Sequence, residues 1–354
     1  MHTMADANQR TMRAARFDTA ARSLTVMDVP VPRPQPGEVR VRVKACGICL
    51  SDAHLLDGSL QSPLPVVTPG HESSGVIDEV GPGVSRWQVG QRVALAGGKP
   101  CGRCVKCTNG QPSECIDFHI MGFHYDGAWA EYVVVPAFVL SAIPDHLPFE
   151  QAAILADAVA TPYAGLVDTA QLRPAQSVGL WGIGGLGVHA VQIARMMGAT
   201  PILAFDTNEA ARQRALEFGA DVALDPRAPD VREQILRHTG GMGLDVAVDL
   251  VGANVVLAQA AKSIGRHGRA VMVGLSPEPI QLGSGVNFGV RSQALLGHLG
   301  YEKKHLDQLV SLVGTKRLDV SRSVTATLSL EDVAQGVERL VKKEGNPIRL
   351  VITP

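Results

Sequence analysis

The chain lacks any run of about eighteen consecutive apolar residues, so no membrane-spanning helix is expected. It also lacks a charge imbalance. Thirty-three Lys and Arg stand against 34 Asp and Glu, a formal net charge of −1, which gives no electrostatic ground for a nucleic-acid or anionic-membrane partner. Residues 1–11 are polar, without the apolar stretch of a secretion signal. They read as a disordered extension, with Met12 an equally good start, and a cytoplasmic location is the default expectation. Internal repeats and low-complexity tracts are missing too. The most informative absence is of cysteine: all six lie between Cys46 and Cys115, and the rest of the chain has none. In a chain of 354 residues without an export signal, such clustering points to metal chemistry rather than disulfides. That length, with 45% hydrophobic residues, suits two domains.

The stretch Gly182-Ile183-Gly184-Gly185-Leu186-Gly187 organises the second half. Before it, Ser177–Trp181 reads as a buried strand; after it, Leu186–Met197 places apolar residues at helical spacing. Strand, glycine turn and helix, with an acid some twenty residues on, is the dinucleotide-binding pattern. Gly182 allows the tight turn, Gly184 lets backbone approach a pyrophosphate, and Gly187 lets helix and strand pack. The helix N-terminus, from Gly185 and Leu186 onward, offers N–H groups to phosphate. Asp206 stands just past the next strand, 201–205, where its carboxylate would accept from a ribose 2′-hydroxyl and repel a 2′-phosphate, favouring NAD over NADP. No Arg comes until Arg212 to clamp such a phosphate. A tight turn that binds nothing is the bland alternative. Further strands are expected at 221–224, 245–250, 269–273 and 293–297, with a helix at 254–264, completing a doubly wound parallel sheet.

The first 150 or so residues are β-rich instead, with Val39-Arg40-Val41-Arg42-Val43 alternating at period two and similar runs at 74–80 and 131–135. Here Cys49, in Cys46-Gly47-Ile48-Cys49-Leu50-Ser51-Asp52-Ala53-His54, and His71, in Gly70-His71-Glu72, are good zinc ligands. Asp157 is a third candidate, being an acid in an otherwise apolar stretch; capping a helix after it would explain it equally well. A lone His71 is by itself an ordinary satisfied polar residue. Cys101, Cys104, Cys107 and Cys115, spaced Cys-x2-Cys-x2-Cys-x7-Cys, can close a tetrahedral zinc site with no open position; an iron–sulfur cluster also tolerates such spacing.

In this order the motifs resemble those of the zinc-dependent medium-chain alcohol dehydrogenases, over nearly the whole chain from Met12 to Pro354. The resemblance implies two zinc ions per chain. A catalytic one is held by Cys49, His71 and Asp157, with Glu72 as a neighbouring or exchangeable ligand; a structural one is held by the four-cysteine lobe. Only Cys49 carries Ser51, Asp52 and His54 at the family spacing, which leaves Cys46 a spare buried thiol. Asp157 stands where many members have cysteine, a hard ligand for a soft one. Asp52 is implied to fix the tautomer of His71, or it simply caps a turn. Ser51 and His54 are implied to pass the alcohol proton outward, an imidazole titrating near neutrality; His54 as an exposed loop residue is the alternative. Val273-Gly274-Leu275 falls where the family meets the nicotinamide carboxamide. Arg349 falls where it contacts the pyrophosphate, unless it is an ordinary surface arginine.

The expected fold is therefore α/β: a β-rich GroES-like catalytic domain at 12–160 and 298–354, and a Rossmann domain at 161–297. The expected activity is reversible hydride transfer between NAD and a small-molecule alcohol or carbonyl. Gly97, where a bulky side chain often narrows the pocket, suggests secondary, cyclic or aromatic alcohols. Trp129 and the 118–123 aromatics would line that pocket or simply fill the core. A homotetramer is expected, with a homodimer as alternative. Two rival functions stand beside this one: a zinc-containing reductase of an activated C=C or C=N bond, and a non-enzymatic use of the fold.

Overall fold

Val39, Val41 and Val43 alternate with Arg40, Arg42 and Lys44, and the chain there is strand Glu38–Ile48, with the valines buried. In the computed structural model, which describes residues 10–276, 278–282 and 285–354 (the backbone alone at 287), this strand is the hub of a sheet. Among the described residues its order is Leu140–Ala142, Arg92–Leu95, Glu72–Val80, Glu38–Ile48, Arg349–Thr353 and Val324–Ser329, with Tyr132–Pro136 paired to Glu38–Ile48 as well. The register decides which side chains meet. Gly47 lies opposite Glu72, and Leu350 opposite Ile48, so three strand ends carry Cys49, His71-Glu72 and Arg349 to one place. A second sheet pairs Thr11–Asp18 with Ser23–Pro30 and Val66–Val67. The first nine residues of the expected extension lie outside the described residues, and Thr11, expected to close it, instead opens a strand opposite Pro30. The short ribbon Gly98–Lys99 with His119–Ile120 stands at the foot of the four-cysteine lobe.

By their contacts the residues fall into two units, one running to Asp157 and resuming over Glu302–Pro354, the other spanning Ala158–Tyr301. The second unit is a six-stranded parallel sheet among the described residues, in the order Val222–Leu224, Ile202–Phe205, Val178–Trp181, Leu244–Asp249, Ile264–Met272, Ala294–Gly297. The strand order reverses beside Val178–Trp181, which pairs with both Ile202–Phe205 and Leu244–Asp249; ligands of open α/β sheets bind outside the carboxyl ends at such a point. These strands read as continuous apolar runs because both faces are covered. Trp181 stacks on Phe205 at 4.1 Å between ring centroids, and its indole N–H donates to Gln259. No helix among the described residues is long and apolar enough to cross a membrane.

Candidate active site

Cys49 is the residue before helix Leu50–Asp57, in extended conformation, and its N–H donates to Asp52 Oδ2 at 2.8 Å. Asp52, fully buried, thereby caps the helix with one oxygen and places the other, Oδ1, 3.2 Å from His71 Nδ1. The two roles weighed for Asp52, turn cap and partner of His71, belong to one side chain at once. With Nδ1 turned to Asp52, His71 presents Nε2 to Asp157 Oδ2, 3.8 Å away, while Cys49 Sγ lies 3.3 Å from the same oxygen. Asp157 lies in a kinked helical stretch. It sits inside one π-helical turn, Leu155–Val159, preceded by Ala156 at φ −81°, ψ 21°. Glu72 completes the group: ligand atoms of Cys49, His71, Glu72 and Asp157 all lie within 4.8 Å of one another.

The electrostatics of these groups identify what they suit. Burial pushes the Cys49 thiol up, and the Asp157 charge beside it adds to the effect. Burial also pushes Glu72 up to about 8, against the pull of Arg349. Burial alone would lower His71, but the charge of Asp52 and hydrogen bonds to Asp157, Asp52 and Cys49 outweigh it and raise it. Acidic groups are crowded around an imidazole, and among the described residues Glu72 Oε1 has only its ion pair with Arg349 and Oε2 accepts no hydrogen bond. A divalent cation reverses every one of these penalties, so the donor set fits a metal.

Gly47 is required here, since a Cβ on it would lie 2.1 Å from Glu72 Oε2. Gly70, at φ 94°, makes the turn into His71 and is packed on Trp129 and on Cys46 Sγ. Trp129 and Cys46 are both fully buried. The aromatic that does face the site is Phe123, tilted against the His71 ring at 5.7 Å.

Cys101, Cys104, Cys107 and Cys115 form the second cluster, with sulfurs also within 4.8 Å of one another. It is assembled locally. The N–H of Cys101 donates to Cys115 Sγ, that of Cys104 to Cys101 Sγ, and that of Asp117 to Cys115 Sγ. Backbone N–H groups pull the Cys104 thiol down to about 6, while loss of water pushes Cys107 up to about 12. Four thiols with no carboxylate or imidazole among them suit a closed tetrahedral zinc site.

In the other unit the glycines of the fingerprint meet different requirements. Gly182 has φ 90°, and a Cβ on Gly187 would lie 1.9 Å from Gly182 O. Gly184 is exposed, and a Cβ there would meet nothing within 4 Å, which leaves open a cradle that a ligand's backbone contacts need. Gly185 and Leu186 lead into helix Gly187–Met196, whose first turn is tied back by His189 Nδ1 to Gly185 O at 2.7 Å. Asp206 Oδ2 accepts from Ile183 N and Oδ1 from Asn208 N, both at 2.8 Å.

Residues 35–145 match the alcohol dehydrogenase GroES-like domain, and residues 185–315 the zinc-binding dehydrogenase domain. An alcohol dehydrogenase of Geobacillus stearothermophilus is 34% identical over 340 residues, 95% of this chain and 98% of that one. This chain belongs to the zinc-dependent alcohol dehydrogenase family. Another member, L-threonine 3-dehydrogenase of Pyrococcus furiosus, is 33% identical over 262 residues, covering 73% of this chain and 74% of its own. Among solved structures, an NAD-dependent alcohol dehydrogenase superposes with TM-score 0.89 at 32% identity, covering 97% of this chain and 100% of that one. A Sinorhizobium meliloti structure bound to NADP superposes with TM-score 0.90 at 28% identity, covering 98% and 100%.

The remaining site residues of this dehydrogenase divide between the two units. Ser51 Oγ lies 3.4 Å from His71 Nε2, and His54, one turn further along the same helix, is 44% exposed and 3.6 Å from Asp57. Val273 is buried just past strand Ile264–Met272, its N–H on Asp249 O. Arg349 is no surface arginine. It is 2% exposed, its Nη2 lies 3.2 Å from Glu72 Oε1, and its Nη1 donates to Ile48 O at 3.0 Å. In this structure the guanidinium pairs with Glu72. Residue-by-residue reading misses this because the pairing depends on the register of strand Arg349–Thr353. Near Asp206, the Arg212 already noted in the sequence donates to Asp206 O, and Arg227, which that reading misses, donates to Thr207 O; both are braced by Asp225.

Proposed function

We propose that this dehydrogenase transfers hydride reversibly between NAD and a secondary, cyclic or aromatic alcohol, giving the ketone or aldehyde. The observation that carries the reading is the convergence of Cys49, His71 and Asp157, with Asp52 behind the imidazole. Cys49, His71 and Asp157 would hold a zinc ion, with Glu72 beside them, and Cys101, Cys104, Cys107 and Cys115 a second, structural one. The first ion would supply Lewis acidity toward the substrate oxygen. The chain's own residues do the rest. Asp52 holds the His71 tautomer, Arg349 keeps Glu72 in place, and Phe123 supplies an apolar wall. Ser51 and His54 carry the alcohol proton from the buried side of their helix to its exposed side.

Gly182, Gly184, Gly185, Leu186 and Gly187 would cradle the pyrophosphate and Asp206 the adenosine ribose, with Val273 at the nicotinamide. The carboxylate of Asp206 supports NAD, and Arg212 and Arg227 beside it make NADPH the necessary control. Buried Gly97, with no side chain, supports a roomy alcohol site. A homotetramer is the assembly expected, with a homodimer the alternative.

The test is NADH formation across primary, secondary and cyclic alcohols, with L-threonine included because a relative acts on that secondary alcohol, together with metal analysis. Turnover with two zinc ions per chain supports the reading. Two zinc ions and bound NADH, with turnover of an enone but of no alcohol or ketone, would replace it with double-bond reduction.

A further inference from the structure

Two turns at the carboxyl edge of the parallel sheet are bonded to Asp249, one by its side chain and one by its main-chain carbonyl, and this residue has no part in either cysteine-containing cluster or in the glycine fingerprint. Asp249 ends strand Leu244–Asp249, opposite Trp181 on one side and Met272 on the other, and is fully buried. Its Oδ1 accepts from the N–H of Val251 at 2.8 Å and of Gly252 at 3.1 Å. Its main-chain carbonyl accepts from Val273 N and Gly274 N, both at 2.9 Å. One residue thus binds the turn after its own strand and the turn after the neighbouring strand.

Both turns are packed with no slack. A Cβ on Gly182 would lie 2.6 Å from Val251 Cγ2, so Val251 stands directly against the first fingerprint glycine. Gly252, at φ 83°, would put a Cβ 2.5 Å from Leu275 O, and Gly274 would put one 2.1 Å from Gly252 N. Asp249 Oδ2, meanwhile, is buried with no hydrogen-bond partner among the described residues. Burial pushes this carboxyl up, opposed by the two backbone N–H groups it accepts from. A half-satisfied buried acid costs stability, so what it holds in place is the informative part.

We propose that Asp249 is a positioning residue for the dinucleotide: it fixes turn 250–252 against Gly182 and turn 273–275 beside it, and so sets the width of the cradle. The inference rests on the proposed binding of NAD at the glycine fingerprint. It implies that the cradle is tuned from beneath, by a group that never touches the cofactor.

The full-length protein and its variants are titrated with NADH and NADPH by fluorescence, and amide hydrogen exchange is monitored without cofactor. Asp249→Ala should weaken NADH about tenfold or more, because it removes the acceptor of two backbone N–H groups that hold the turn against Gly182. Exchange should accelerate most in the peptides covering 250–252 and less in 273–275, which the main-chain carbonyl of residue 249 still holds, with the metal of the four-cysteine cluster retained. Asp249→Asn keeps an acceptor for both N–H groups and should bind within about threefold of the parent. Gly252→Ala forces the turns apart with the carboxyl intact and should weaken NADH as Asp249→Ala does. Unchanged NADH affinity in both Asp249→Ala and Gly252→Ala overturns the inference. So does equal weakening in the Ala and Asn variants with exchange raised across the whole of 158–301, which marks a merely structural role. A parent that binds neither dinucleotide overturns the proposed NAD site and this inference together; a parent that binds NADH while the variants match it overturns this one alone.

Discussion

The two clusters of this protein that could hold a metal ion are built in opposite ways. The mixed cluster draws Cys49 and Asp157 from 108 residues apart, and Arg349, which pairs with Glu72, reaches Ile48 across 301. Its Cys49, His71 and Glu72 are buried, and sheet register places them. The four-cysteine cluster closes a loop of 14 residues, part-exposed throughout, with Val105 at 67% and Ile116 at 83% exposure beside it. One cluster is a product of the fold; the other substitutes for a core where the chain has none. Unlike donors in a dry site leave acidic and basic groups in tension that a reacting ligand can relieve. Four like donors in a wet loop can do little except hold it closed.

The largest effect should come from cutting the mixed cluster at its sulfur. Cys49→Ala is expected to abolish turnover and to lower bound zinc from two ions toward one per chain. Cys46→Ala should do neither, because the convergent ligand atoms are those of Cys49, His71, Glu72 and Asp157, and Cys46 Sγ points to Gly47 O. Metal analysis of both variants checks the assignment, and a Cys46→Ala protein without its catalytic zinc would sink it.

Breaking the other cluster should produce a different loss. Cys107→Ser is expected to release the second zinc, make the 101–115 lobe a protease target and lower the melting temperature, with hydride transfer reduced far less than in Cys49→Ala. The cluster's own hydrogen bonds stay within the lobe, which is why the damage should stay there. If Cys107→Ser removed activity as completely as Cys49→Ala, the division into working and bracing metals would fail.

The same contrast explains what could be read from the sequence. The four-cysteine lobe was legible from spacing, since its geometry is local. Five of the six parallel strands were legible within a residue or two, because apolar runs and turn glycines are local as well; the one expected from 269 begins at Ile264. The β-rich half yielded some of its strands but not Arg349–Thr353, nor the register that brings Arg349 to Glu72. Asp52 showed one of two roles in sequence and fills both in the fold. Asp249 gave only a faint signal, an acid closing an apolar run; its work lies in two turns whose proximity no spacing encodes. The tension around Glu72, raised to about 8, was invisible for the same reason: burial and the Arg349 pairing are both tertiary.

A substitution that makes the mixed cluster more like the other sharpens the comparison further. Asp157→Cys replaces a hard oxygen by a soft sulfur, so zinc should leave more slowly to a chelator while alcohol oxidation slows only modestly. Timed chelation reads the first effect and steady-state rates the second. Faster zinc loss would mean that the π-helical turn Leu155–Val159 cannot seat a thiolate.

The smallest effect belongs to a feature that the bracing cluster has no use for, a way out for a proton. Alcohol oxidation frees one at the buried end of helix Leu50–Asp57, where Ser51 Oγ lies 3.4 Å from His71 Nε2. His54 comes three residues later, on the same helical face, half-exposed and beside Asp57. Such a chain matters most when bulk base is scarce. His54→Gln should therefore slow oxidation chiefly below neutral pH and leave the rate at high pH close to that of the parent, with both zinc ions retained. The measurement is kcat for oxidation against pH in the two proteins. Parallel profiles would remove His54 from proton transfer and leave Ser51 to deliver the proton to water directly.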